Sequence, residues 1–247
     1  MTAWAAGWAI TQTPEGLQAV LRAADVGLTI PWSFAEDATG LPVRVDQRPL
    51  FWADARGSKT SFAPDNFPAG IVEGPVGGWT TDLAHKPSLA YPAYLATGEA
   101  VYARALGFEA AYAVAAVWPD LRGPNGVLVT RDLQLRSVAW GLRTIGNAAY
   151  LLPEDDPMKA YSSRVLAANM RDLETTYIRR RIMSDAGETE GYFKIDSGRD
   201  KRAIAPWQND FMAIILAVEA KRGTPKARSL AQWMTCFLYT SPSPRDS

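Results

Sequence analysis

The 247-residue chain has one cysteine and one histidine. That excludes a disulfide framework, and it excludes a zinc cage of Cys and His built from this chain alone. Net charge is also missing, because 26 Lys and Arg offset 26 Asp and Glu. There is no basic field to hold a nucleic acid and no acidic excess of the kind that keeps a tail solvated. No run reaches the roughly 18 apolar residues of a membrane span. The opening Met1-Thr-Ala-Trp4 lacks the charged start of a secretory signal. The chain therefore reads as soluble, either cytosolic or beginning upstream of Met1. Gly74-Pro-Val-Gly-Gly78 lacks the strand and the Lys-Ser/Thr ending of a phosphate loop, and reads as a turn. Nucleophile elbow, metalloprotease helix and Asn-glycosylation sequon are absent. Arg179-Arg-Arg181 sits at an expected helix C-terminus, where the dipole accounts for it. No metal and no cofactor are implied, neither nucleic acid nor membrane is expected as a partner, and the oligomeric state is left open.

What is present is ordinary globular material: 47% hydrophobic and 21% charged residues, enough for a sizeable core. The nine tryptophans serve either large cores or flat stacking surfaces. Residues 13–26 predict a helix, capped by Thr13, with Pro14 at its first position, Glu15 in its first turn and Gly27 as its stop. Residues 28–80 are rich in Pro and Gly and read as extended chain, with short strands at most near residues 43–45 and 50–52. The aromatics of this stretch, Trp32, Phe34, Phe51, Trp52, Phe62, Phe67 and Trp79, predict that it packs down.

From residue 82 the pattern is helical, with a loose repeat of two-helix units. The first unit is residues 87–95 and 99–117 around Thr97-Gly98. The second is 133–152 and 158–177 around a Pro153-to-Pro157 turn. The third is 207–221 and 226–234 around Arg222-Gly-Thr-Pro225. Short connections imply antiparallel neighbours, and a repeated unit implies a stacked or closed array. The expected division is 1–81, a short helix plus an irregular aromatic-rich segment packing on the helices; 82–235, the hairpin domain; and 236–247, a tail. That tail, Cys236-Phe-Leu-Tyr-Thr-Ser-Pro-Ser-Pro-Arg-Asp-Ser247, closely resembles a translated sequencing adapter, and the alternative is a disordered Ser/Pro tail. On the adapter reading the natural chain continues differently after Thr235.

The middle unit carries a geometric clue. Val138, Leu142, Ile145 and Ala149 share one helical face, and Arg136, Trp140, Arg143 and Asn147 share the opposite one. Such a helix is expected to be an inner one, with its polar face lining a cavity. The alternative is an exposed face with a chance Trp.

Asp82-Leu-Ala-His-Lys-Pro-Ser-Leu-Ala-Tyr91, Tyr94-Leu-Ala-Thr-Gly-Glu99, Ala139-Trp-Gly-Leu-Arg143 and Pro206-Trp-Gln-Asn-Asp-Phe211 resemble inner-helix starts and a hairpin turn of the α/α-toroid proteins. These are the six-hairpin glycoside hydrolases and the related polysaccharide lyases. The resemblance covers residues 79–235, is one of layout, and matches no catalytic motif in full. It implies a mostly α fold in which helical hairpins form part of an α/α toroid, preceded by a Pro/Gly-rich extended segment. It also implies a carbohydrate partner, bound at the mouth where inner helices begin.

The candidate catalytic residues are Asp82, His85, Asp210 and Tyr192. His85 suits general acid–base work near neutrality, and Asp82 three residues earlier can orient it or simply cap a helix. Glycoside hydrolysis needs two carboxylates, for which Asp82 and Asp210 are the pair, with Asp65, Glu73 and Asp196 in reserve. A lyase needs a base, His85 or Tyr192, and cations such as Arg136 or Arg143 to neutralise a uronate. Trp79, Tyr91, Arg136, Trp140, Arg143 and Trp207 are the candidate substrate-binding residues. The second reading is a non-catalytic helical scaffold or carbohydrate-binding module.

Overall fold

A computed structural model describes residues 2–53, 71–72, 82–128, 134–179, 191–193 and 206–240. Among these the protein is mostly helical, and no helix is long and apolar enough to cross a membrane.

Helix α1 (Ala3–Thr11) forms where the sequence reading assigned no element. Gln12 ends it in the left-handed region, at φ 51°, and returns its N–H to the Trp8 carbonyl. Helix α2 (Pro14–Gly27) follows as expected, with the Thr13 hydroxyl accepting the Gly16 N–H at 3.2 Å. Val20 and Ala24 of α2 bury with Ala5, Ala93 and Tyr102 in a small second core. The Tyr102 hydroxyl donates to Asp25 at 2.9 Å.

Residues 28–53 pack down. Trp32, Phe34, Val43, Val45 and Phe51 are buried in one core with residues of the later helices. The expected strands at 43–45 and 50–52 do not form. Two-residue strands β1 (Ala35–Glu36) and β2 (Ile71–Val72) pair antiparallel instead. Val43 donates its N–H to the Phe34 carbonyl at 3.0 Å beside an isolated antiparallel bridge between Ala35 and Pro42, and the Val45 N–H turns to the Tyr161 hydroxyl at 3.5 Å, so the pairing stops short of a strand.

Three hairpins follow a short 3-10 turn, Leu83–His85. Helix α3 (Ala90–Thr97) turns at Gly98, whose φ of 69° admits the tight reversal, into α4 (Ala100–Ala115). A short α5 (Pro119–Arg122) then leads to α6 (Leu135–Leu151) and α7 (Pro157–Leu173), with the Asp156 carboxylate capping α7 through the Met158 N–H at 2.7 Å. A π-helical stretch, Glu174–Arg179, extends α7. The last pair is α8 (Pro206–Lys221) and α9 (Ala227–Thr240), and α9 continues past the adapter-like junction expected at Cys236.

Side-chain pairings fix the directions. Arg136 meets Gln208, Trp140 meets Phe211, and Asn147 meets Arg222. Numbers rise together, so α6 and α8 run parallel. Gly107 packs on Met158, and Val114 and Val165 both meet Gly126, so α4 and α7 run parallel too. Glu174 meets Lys226 and Tyr177 meets Trp233, which sets α9 parallel to the α7 extension. Among these pairs, the first limbs α6 and α8 run the same way, as do the second limbs α4 and α7.

The end of α4 shows why the N-terminal segment belongs to this core. Its last carbonyls have no helical partner. Ala53 N–H donates to Ala115 at 2.9 Å, and the Trp52 indole donates to Ala116 at 3.4 Å. The buried Arg122 guanidinium donates to Val117 at 3.0 Å and to the Phe51 carbonyl. Burial pulls this guanidinium down to about 10, with Tyr161 opposing the shift.

Candidate functional site

The Leu83–His85 turn lies along the middle of α6, with Leu83 beside Gly141. Asp82 opens it and does two things at once. One carboxylate oxygen accepts the Ala84 N–H at 2.8 Å, and the other meets His85 Nδ1 at 2.6 Å. Asp82 thus caps the turn and contacts the His85 ring at the same time. The His85 side chain is 64% exposed and that of Asp82 19%. With Nδ1–H given to Asp82, Nε2 is the basic nitrogen, on an imidazole open to solvent.

Directly behind the turn is a buried ionic cluster. Lys86 Nζ donates to the Glu109 carbonyl at 2.8 Å and lies 4.6 Å from the centre of the Trp32 ring. The Glu109 carboxylate accepts the Leu89 and Ala90 N–H groups at 3.1 and 3.0 Å and the Ser88 hydroxyl at 3.1 Å. Glu109 thereby caps α3 from a neighbouring helix, where negative charge is favoured. Arg143 donates to the Lys86 carbonyl at 3.0 Å. Burial lowers Lys86 to about 7, with Glu109 opposing the shift and Arg143 adding to it. Burial lowers Arg143 to about 10, again opposed by Glu109. Sequence reading missed Lys86 and Glu109. The signal for Glu109 was there: a single acid in a helix apolar on every side must be buried and partnered.

From this cluster a continuous band crosses α6. The Arg143 guanidinium lies 4.2 Å from the Trp140 ring centre, and Trp140 tilts against Phe211 at 4.3 Å. One turn earlier Arg136 stands 5.8 Å from the ring of Trp207, which is 53% exposed. The sequence reading expected the polar face of α6 to line a polar cavity; among the described residues that face is largely covered. Arg143 and Asn147 are buried, because α8 and the 82–89 segment cover that face and supply their partners. Arg136 Nε and Arg143 Nε are buried with no hydrogen-bond partner among the described residues.

At α8 the motif divides into architecture and surface. Gln208 accepts the Arg136 N–H at 2.9 Å, satisfying a free donor in the first turn of α6. The buried Asn209 amide accepts the Phe193 N–H at 2.8 Å and donates to the Phe193 carbonyl at 3.4 Å. It thereby pins residues 191–193 to the start of α8. Tyr192, half-buried, is brought there with them. Trp207 and Asp210 stay exposed.

The structure thus gathers Arg136, Trp140, Arg143 and Trp207 in one band, with the Asp82–His85 turn reaching Arg143 through the Lys86 carbonyl; Asp210 is exposed at the start of α8, and Tyr192 is held with Phe193, which packs on Tyr177 and Trp233. Tyr91 goes elsewhere. Its hydroxyl accepts from Arg222 at 3.4 Å, near Asn147 and about three turns along α6 from Arg136. Trp79, Asp65, Glu73 and Asp196 lie outside the described residues.

Comparison with known proteins finds no matching family model, no matching curated protein and no matching solved structure.

Proposed function

We propose that this is a carbohydrate-active protein of α/α-toroid type whose site is the band at the starts of α6 and α8. The observation that carries the reading is the solvent-open Asp82–His85 pair at 2.6 Å. The parallel first limbs and the Arg136–Trp207 contact at the starts of α6 and α8 support the same reading.

Within that class the pair favours the lyase branch over the hydrolase branch. Hydrolysis asks two carboxylates to flank one bond, and Asp82 is already committed to His85 and the Ala84 N–H. In β-elimination His85 Nε2 takes the proton beside the uronate carboxylate. The electron pair forms the ring double bond, the glycosidic C–O bond breaks, and the imidazolium returns the proton to the leaving oxygen. Arg136 offsets the charge that grows on the carboxylate, and Trp207 gives a face for the sugar ring.

The test is turnover of uronate-containing polysaccharides, followed by ultraviolet absorbance of the unsaturated product. His85→Ala is expected to lower the rate at least about 100-fold, the usual scale for a lost general base. Asp82→Asn is expected to lower kcat while leaving KM nearly unchanged. Reducing ends without an unsaturated product would select the hydrolase branch. Rates untouched by His85→Ala would remove the reading.

A non-catalytic scaffold is the second reading. Its support is that Gln208, Asn209 and Arg143 are bound into the architecture. Binding of glycans with no turnover of any would favour it.

A further inference from the structure

Helix α8 packs on α6 and α9. The side that does so buries Met212, Ile215 and Leu216. On the opposite side Asp210, Ile214, Ala217, Val218 and Lys221 are exposed. At the helical angle of about 100° per residue these five fall in one strip about 100° wide. A helix face turned to water ordinarily carries charged and polar residues along its length. The neighbouring helices follow that rule: α7 exposes Ser163, Arg164 and Arg171, and α9 exposes Arg228 and Gln232. On α8 the charges stand only at the two ends of the strip, and three apolar residues lie between them. A contiguous apolar patch with a polar rim marks an interaction surface.

The order of residues along the strip identifies the partner. It is symmetric about the midpoint of Ile214 and Ala217, with an acid four residues before Ile214 and a base four residues after Ala217. The spacing of four, three and four residues is that of a helix–helix seam. The side chains of Asp210 and Lys221 have no ion-pair or hydrogen-bond partner among the described residues.

In an antiparallel pair of α8 helices, Asp210 of each copy meets Lys221 of the other at both ends of the seam. In the middle, Ile214 of each copy fills the space left over the small Ala217 of the other. A parallel pair would set acid against acid, base against base and Ile214 against Ile214. Charge and size therefore both select the antiparallel arrangement.

We infer that the outward strip of α8 is a self-association surface, on which a second copy of this chain seats its own α8 antiparallel about a twofold axis. Asp210 and Lys221 set the register, and Ile214, Ala217 and Val218 supply the apolar centre. The surface does not depend on the reading of the band at His85. Trp207, about one turn before Asp210, falls past the end of the partner's helix.

Sedimentation velocity on the full chain, from low micromolar to submillimolar concentration, tests this. A seam of about three turns is expected to give a weak equilibrium between monomer and dimer. No larger species is expected, because a twofold contact closes on itself. Asp210→Lys and Lys221→Asp each place like charges at both ends of the seam, and each is expected to weaken association at least about 10-fold. The double variant Asp210→Lys/Lys221→Asp restores opposite charges and is expected to return to within about 3-fold of the native chain. Ile214→Lys is expected to abolish association. Circular dichroism at low micromolar concentration, where the pair is dissociated, is expected to show native helix content throughout. Should a charge reversal lose helix, Ile214→Lys and the native concentration series still decide the surface. The inference is overturned if the chain stays monomeric across the series, which would leave the strip to a different partner. It is also overturned if Ile214→Lys associates as the native chain does. A double reversal as weak as the single ones would overturn it too, because the copies would then not meet in this antiparallel register.

Discussion

Glu109 is the residue at the centre of the buried ionic cluster. It answers three donors and faces two buried cations, Lys86 and Arg143. Glu109→Ala is expected to cost about 3–5 kcal/mol in chemical denaturation, because it leaves uncompensated charge inside. A cost under about 1 kcal/mol would mean that water reaches the cluster. Lys86 gives a pH signature. Its folded value, about 7, lies below its ordinary 10.5. Between those values the unfolded chain holds a proton that the folded chain has released. Stability therefore rises with pH across that window, and below about 7 the full burial penalty remains. Lys86→Met removes the titration. The native chain should gain on this variant from pH about 7 to about 10, by at most about 1.4 kcal/mol per unit. Parallel profiles from urea denaturation would show that Lys86 is solvated in the folded state.

Between elements, small residues and amides set the contacts. Gly146 faces the buried Glu219 carboxylate so closely that a Cβ there would drive it away. That carboxylate accepts Arg222 Nη1 at 2.6 Å and the Thr224 hydroxyl at 2.7 Å, tying the end of α8 to its turn. Gly146→Ala is expected to destabilise by about 1–3 kcal/mol despite its better helix propensity, as overpacking does. A gain in Tm would mean that α6 and α8 are further apart. The outward side of α8 gives a contrast. Ile214 is 59% exposed, whereas Leu216 is fully buried. Ile214→Lys should stay within about 0.5 kcal/mol of native, while Leu216→Ala should lose about 2–5 kcal/mol. Equal losses would contradict the rotation of α8 described above.

Over the whole molecule α6 is the hub. It touches α4, α7, α8 and the Leu83–His85 turn, and its Val138, Ala139, Leu142 and Ala148 are fully buried. Its amides are expected to exchange only on global unfolding, while those of α1, with a single buried residue, open locally. Hydrogen exchange read by mass spectrometry decides this. Exchange of α6 as fast as that of α1 would show that the hairpins do not fold as one unit.

The three hairpins were legible in the sequence to within a few residues, because helix ends are local. Asp156 before Pro157, Gly98 and the Gly223 turn act on their own backbone, whatever else the chain does. The Asp82–His85 pair was legible for the same reason, since three residues of spacing suffice. Helix α1 was not, because its Ala- and Trp-rich stretch has no cap or amphipathic face to announce it. Nor was the fate of Arg143, Gln208 and Asn209. A polar residue on a helix face reads the same whether it meets water, ligand or a backbone amide. The choice is made by partners far along the chain: residue 86 for 143, 208 for 136, and 209 for 193. The sequence by itself thus determined where the helices of the three hairpins begin and turn. Only the tertiary structure decided which polar groups are bound into the protein and which, like His85 and Trp207, keep something to offer. Capping and turns are settled by neighbouring residues, whereas burial and pairing are settled by whatever the fold sets beside them.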